Sequence, residues 1–90
     1  MQVSHSDARE AETVTVRYWA GARAAAGVEH ETVTGVHTVG ELVGRLVASR
    51  PALERVLPVC SVLVGGRASS GDDPVPAGAV VEVLPPFAGG

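Results

Sequence analysis

TVGELVGRLV, residues 38–47, decides how the rest of this 90-residue chain must fold. Val39, Leu42, Val43, Leu46 and Val47 recur at i, i+3, i+4, i+7 and i+8, which puts five apolar side chains on one helical face. Thr38 precedes the first of them and Glu41 follows three places on. That is the pattern of a capping box, in which hydroxyl and carboxylate satisfy the first free amides. Gly40 and Gly44 each weaken the helix by about 1 kcal/mol against alanine, so packing must hold it. Pro51 ends it, because proline lacks the amide hydrogen and pushes Arg50 out of the α region. A helix with one apolar stripe needs one apolar surface to cover, and the segments on either side supply it.

Upstream, TVTVRYW (13–19) alternates Val14, Val16 and Tyr18 with Thr13, Thr15 and Arg17, the period of a half-buried strand. AGARAAAG (20–27) interrupts it as a short helical turn bracketed by Gly21 and Gly27. A second strand is expected over about residues 28–34, forming a hairpin with a long connection. Downstream, a short turn through Leu53, Val56 and Leu57 closes one end of the core. CSVLVGG (60–66) reads as a third strand stopped by glycines, and RASSGDDPVPAG (67–78) as turn-rich chain. AVVEVLP (79–85) is the last strand. Only Glu82 breaks its apolar run, which predicts a central position, covered on most sides. Strand, strand, helix, short turn, strand, strand, with a right-handed crossover, predicts an α+β fold. It is a ubiquitin-like β-grasp: one mixed sheet of four to five strands wrapped on one main helix. The expected divisions are a loose arm at 1–12, the β-grasp domain at 13–84 and a flexible tail at 85–90.

Composition narrows the function. The formal charge is −3, and no basic stripe exists to displace counterions from phosphates, so no nucleic-acid partner is expected. All seven basic residues are arginine. No lysine is available as a nucleophile, for a Schiff base or for self-linked polymers. Cys60 is the only cysteine, which excludes an internal disulfide and points to a reducing, cytoplasmic setting. The start lacks the apolar core of a secretory signal, and no apolar run approaches the roughly 20 residues that span a bilayer. No membrane partner is expected.

Most candidate sites dissolve on inspection. His5, His30 and His37 have no metal-ligand spacing, so no metal is expected. Cys60 has no histidine or arginine beside it to lower its pKa and reads as a small core residue. GARAAAG and GGRASSG lack the lysine and the following helix of a phosphate loop. What remains is the ending, LPPFAGG (84–90). Pro85 and Pro86 stiffen the exit from the sheet, and Phe87 puts the chain's only phenylalanine where no core is left to bury it. Ala88, Gly89 and Gly90 are small enough to thread a narrow channel in another protein. The reactive group is the Gly90 carboxylate, ionised at pH 7 and a poor electrophile until an outside enzyme activates it.

VRYWAGARAAAGV (16–28), TVGELVGRL (38–46) and VEVLPPFAGG (81–90) together resemble the small subunit of molybdopterin synthase, over nearly everything from Val14 to Gly90. That family consists of β-grasp sulfur carriers related to the thiamine-pathway carrier and to ubiquitin. The resemblance implies no bound cofactor and no catalysis by the chain alone. ATP is used by an E1-like adenylyltransferase to activate Gly90, and a sulfur donor such as a cysteine desulfurase or rhodanese converts it to a thiocarboxylate. The large subunit of molybdopterin synthase then receives the tail, and sulfur passes to a cyclic pterin precursor. Gly89 and Gly90 match the motif, whereas Phe87 and Ala88 occupy its variable positions. Trp19 stands where phenylalanine is commoner. Alternatives are a carrier for thiamine, cysteine or a related product, a ubiquitin-like protein modifier, and an interaction domain with an inert tail.

Overall fold

The computed structural model describes residues 12–86. Its elements run β1 (Thr13–Tyr18), α1 (Ala20–Ala26), β2 (His30–Thr34), α2 (Val39–Ser49), α3 (Leu53–Val56), a 3-10 turn (Leu57–Val59), β3 (Ser61–Val64), β4 (Arg67–Ala68) and β5 (Val80–Leu84). The five strands form one sheet in the order β2-β1-β5-β3-β4. β1 and β5 are parallel, and every other pair is antiparallel. This is the expected mixed sheet on one main helix, a β-grasp.

The inner face is set by strand parity. Val14, Val16 and Tyr18 of β1 and Val81 and Val83 of β5 are buried, and so is Val33 of β2. Register puts Val16 beside Val81 and Tyr18 beside Val83. From α2, Val39, Leu42 and Leu46 are buried in the same cluster, with Val43 and Val47 packed against it half-buried. Leu53 and Leu57 close the core from one end.

Several boundaries differ from the sequence reading. Residues 20–26 form a seven-residue helix rather than a single turn, with Gly21 inside it. Only Gly27 acts as punctuation, in the left-handed conformation at φ 83°. β3 begins at Ser61, and β2 begins at His30. Inside the turn-rich stretch 67–78 a two-residue strand, β4, pairs with β3 across a Gly65-Gly66 turn in which both residues have positive φ. β5 is central as expected, but its outer face is open: Val80 is 46% exposed.

The α2 cap is also modified. The Glu41 amide donates to Thr38 Oγ1 at 3.1 Å, while the Glu41 carboxylate accepts from the His37 amide at 2.7 Å, one residue further back than a capping box requires. The loop 70–75 covers this end of the helix. The Val39 amide donates to the Asp73 carbonyl at 3.0 Å and the Gly40 amide to the Gly71 carbonyl at 2.8 Å. The two helix glycines therefore differ. A Cβ at Gly40 would sit 3.3 Å from the Gly71 oxygen, whereas one at Gly44 meets nothing within 4 Å. Gly44→Ala is expected to raise stability by about 1 kcal/mol, read as a higher melting temperature. Gly40→Ala gains the same propensity but presses on the loop carbonyl, so its melting temperature should fall short of the Gly44 variant's.

Candidate functional site

Its neighbours determine where β5 releases the chain. Val83 lies beside Tyr18 and Leu84 beside Ser61, so the strand leaves the sheet between the end of β1 and the start of β3. The last rung on the β1 side is the Trp19 amide, which donates to the Val83 carbonyl at 3.1 Å. Ala20 then adopts φ 49°, a left-handed conformation that costs a residue with a Cβ about 1–2 kcal/mol. The chain turns there into α1, while β5 continues into Pro85, half-buried, and Pro86, exposed. Of the tail residues singled out from sequence, these two sit at the sheet's end. Phe87, Ala88, Gly89 and Gly90 lie outside the described residues, as do His5 and the arm up to residue 11.

The exit is ringed by apolar surface. Trp19 is 40% exposed, and Val59, two residues before Ser61, is 61% exposed. Along the outer face Val80 is open, and Leu63 and Leu84 are half-buried yet stand outside the core cluster. The Arg17 guanidinium lies over the Trp19 ring, 5.5 Å from its centroid, a contact worth about 0.5–1 kcal/mol at an exposed site. Glu82 is the lateral neighbour of Arg17 on the same face. Exposed aromatic and aliphatic side chains around a pair of charges are the chemistry of a protein-docking surface. Sequence reasoning noted Trp19 only as standing where phenylalanine is commoner and missed the others. The available signal was parity: Leu63 and Leu84 alternate with inward-facing valines and so had to face outward.

Beneath this end of the sheet lies a polar lock. The Tyr18 hydroxyl donates to Glu31 Oε2, Arg50 Nε donates to the same oxygen at 2.8 Å, and another guanidinium nitrogen of Arg50 donates to Glu31 Oε1 at 3.2 Å. Arg50 also donates to the Ala26 carbonyl at 2.9 Å, tying the end of α2 to β2 and α1. Burial alone would raise the Glu31 carboxyl. The hydrogen bonds from Arg50 and Tyr18, with the Arg50 charge, overcome burial and hold it below the usual carboxylate range. Burial, then the hydrogen bond to Glu31 and its charge, push the Tyr18 hydroxyl above its ordinary value. A depressed carboxyl stabilises the fold above its unfolded pKa, about 4.3 for glutamate, and that contribution is lost as pH falls through the folded value. Glu31→Gln should therefore be less stable than wild type at neutral pH. The gap should close as pH drops below about 4.3, measured by urea melts across the acid range.

Cys60 is half-buried and packs against the edge of the core cluster rather than within it. Its thiol donates to the Val56 carbonyl at 3.2 Å, and burial pushes its pKa up. His30 and His37 are exposed, the latter 3.6 Å from Glu41. Among the described residues no group of three or more histidine, cysteine or acidic side chains converges. Nor, among them, is any helix long and apolar enough to cross a membrane.

Comparison with known proteins adds the relatives. No curated protein matches. Among solved structures the chain is similar to a candidate molybdopterin converting factor, subunit 1, from Pyrococcus furiosus. That match has 26% identity and a TM-score of 0.76, covering 82% of this chain and 97% of that one. It is similar as well to SAMP1 from Haloferax volcanii, with 28% identity and a TM-score of 0.76, over 87% of this chain and 99% of that one. A chain in the complex of subunits 1 and 2 of the molybdopterin-converting factor from Helicobacter pylori shares the fold. It has a TM-score of 0.65 at 23% identity, covering 87% and 99%. The ThiS family profile matches residues 16–90, from within β1 through the final glycine. With that match over a β-grasp whose central strand runs out into the tail, this chain belongs to the ThiS family of small ubiquitin-like sulfur carriers.

Proposed function

We propose that this chain carries sulfur on the Gly90 carboxyl for the synthesis of molybdopterin, in the cytoplasm. An E1-like adenylyltransferase joins the carboxylate to the α-phosphorus of ATP with loss of pyrophosphate. A donor such as a cysteine desulfurase or rhodanese presents a persulfide whose terminal sulfur attacks the acyl carbon, and AMP leaves. A second thiol then cleaves the acyl disulfide, forming a disulfide with the donor and freeing the acyl sulfur. The resulting thiocarboxylate holds sulfur that is nucleophilic at neutral pH. Seated in the large subunit of molybdopterin synthase, it stands next to a cyclic pterin precursor, and that proximity lowers the barrier. The observation that supports this reading most is the exit of β5. A central strand leaves the sheet through two prolines beside exposed Trp19 and Val59, so a partner gripping the open face also meets the tail.

Docking on that face has its own test. Trp19→Ala should weaken binding to the large subunit by about 2 kcal/mol or more, roughly thirtyfold, with little change in melting temperature, as read by calorimetric titration. The likeness to SAMP1 favours a second reading, a modifier that joins Gly90 to amines of other proteins. One incubation with ATP, an E1-like enzyme and a sulfur donor separates the two. A mass gain of one sulfur-for-oxygen exchange supports the carrier, whereas adducts on other proteins without that gain support the modifier.

A further inference from the structure

We infer that the folded body is chemically inert toward its own activated terminus, because it withholds every side-chain thiol and amine that would capture the acyl group before a partner does. The inference rests on the carrier reading above. An activated acyl carbon is open to any nearby nucleophile. With a thioester, an attacking thiolate forms a new C–S bond and expels the original thiol. An attacking amine loses a proton, forms an amide and expels the same group.

The tail can reach the body. Six residues follow Leu84, a contour of up to about 20 Å, which is longer than the distance from Leu84 to its neighbours at the ends of β1 and β3. The tail meets no free side-chain amine there, and exposed His30 beside Arg17 could take the acyl group only as an acyl-imidazole that water then cleaves, without leaving a stable ring. The basic side chains are all arginine, and a guanidinium stays protonated with no free lone pair to attack. Lysine at the same places would expose a neutral fraction. Cys60 is next to Ser61, the ladder partner of Leu84, so the only thiol of the chain sits at the root of the tail. Yet its side chain packs toward the core with Val62 and Val64, its S–H is engaged by the Val56 carbonyl at 3.2 Å, and burial disfavours the thiolate that would react. Ser61, on the exposed outer side, offers only a weakly nucleophilic hydroxyl.

The test uses the full chain bearing a Gly90 thioester of a small alkyl thiol, made by intein cleavage and followed by intact mass. No activating enzyme is involved, so the outcome is independent of whether the carrier reading survives its charging assay. The folded wild type should lose its thioester only by slow hydrolysis, with no ring and no higher-mass species. Ser61→Cys, with its fold checked by thermal melt, should close to a ring thioester at least about tenfold faster than hydrolysis. Arg17→Lys should form a ring amide that resists hydroxylamine. In concentrated urea the wild-type Cys60 should capture the terminus. A ring in the folded wild type would overturn the inference. So would Ser61→Cys and Arg17→Lys chains as inert as wild type, since the choice of side chains would then be irrelevant.

Discussion

Deleting Gly90, or extending the chain by one residue, should abolish sulfur charging while leaving the melting temperature unchanged. One residue moves the terminal carbon by up to about 3.5 Å, and a displacement of about 1 Å can already cost on the order of a hundredfold when reacting groups must be aligned. The charging rate should therefore drop by at least about a hundredfold. Stability is a separate matter, because the sheet ladder ends at Leu84 and, among the described residues, no core side chain lies beyond Val83. Intact mass after incubation with the activating enzyme reads the first effect, and a thermal melt reads the second. Normal charging of either variant would show that the terminus is not the reacting group.

Leu42→Ala should be the most damaging simple truncation in the body. Leu42 is 1% exposed on the face of α2 that meets the sheet. Removing it forfeits transfer energy and leaves a cavity, roughly 3 kcal/mol in all, in a domain whose whole stability is on the order of 5–15 kcal/mol. The melting temperature should fall by about 15 °C, and the urea midpoint should fall with it. Aromatics are scarce, so little bulk is available to collapse into the gap. A loss under about 1 kcal/mol would mean that α2 does not seat on the sheet as described.

The sequence was legible wherever a period ran long enough to be counted. All five residues of the α2 stripe face the core, although the spacing did not rank them: Val39, Leu42 and Leu46 are buried, while Val43 and Val47 flank them half-buried. The β1 alternation likewise puts Val14, Val16 and Tyr18 inside. β4 escaped because two residues carry no period, although Gly-Gly between two short runs is itself a hairpin signal. The polar lock escaped for another reason. Tyr18, Glu31 and Arg50 lie 13 and 19 residues apart, with no local spacing to betray them. The hint was Tyr18 itself, whose inward parity buries a hydroxyl that must find a partner. β5 shows the opposite error. Its nearly unbroken apolar run suggested cover on most sides, but Val80 at one end and Leu84 at the Trp19 end both face outward, and the run instead marks a surface suited to docking.

The carrier reading reduces to a claim about which atom bears the sulfur. The direct check is to isolate this chain from cells that lack the pterin precursor, where discharge is blocked, and to fragment it by mass spectrometry. The added sulfur should replace one oxygen on the peptide ending at Gly90. A chain with an unmodified carboxylate, or one whose extra sulfur sits on Cys60, would contradict it.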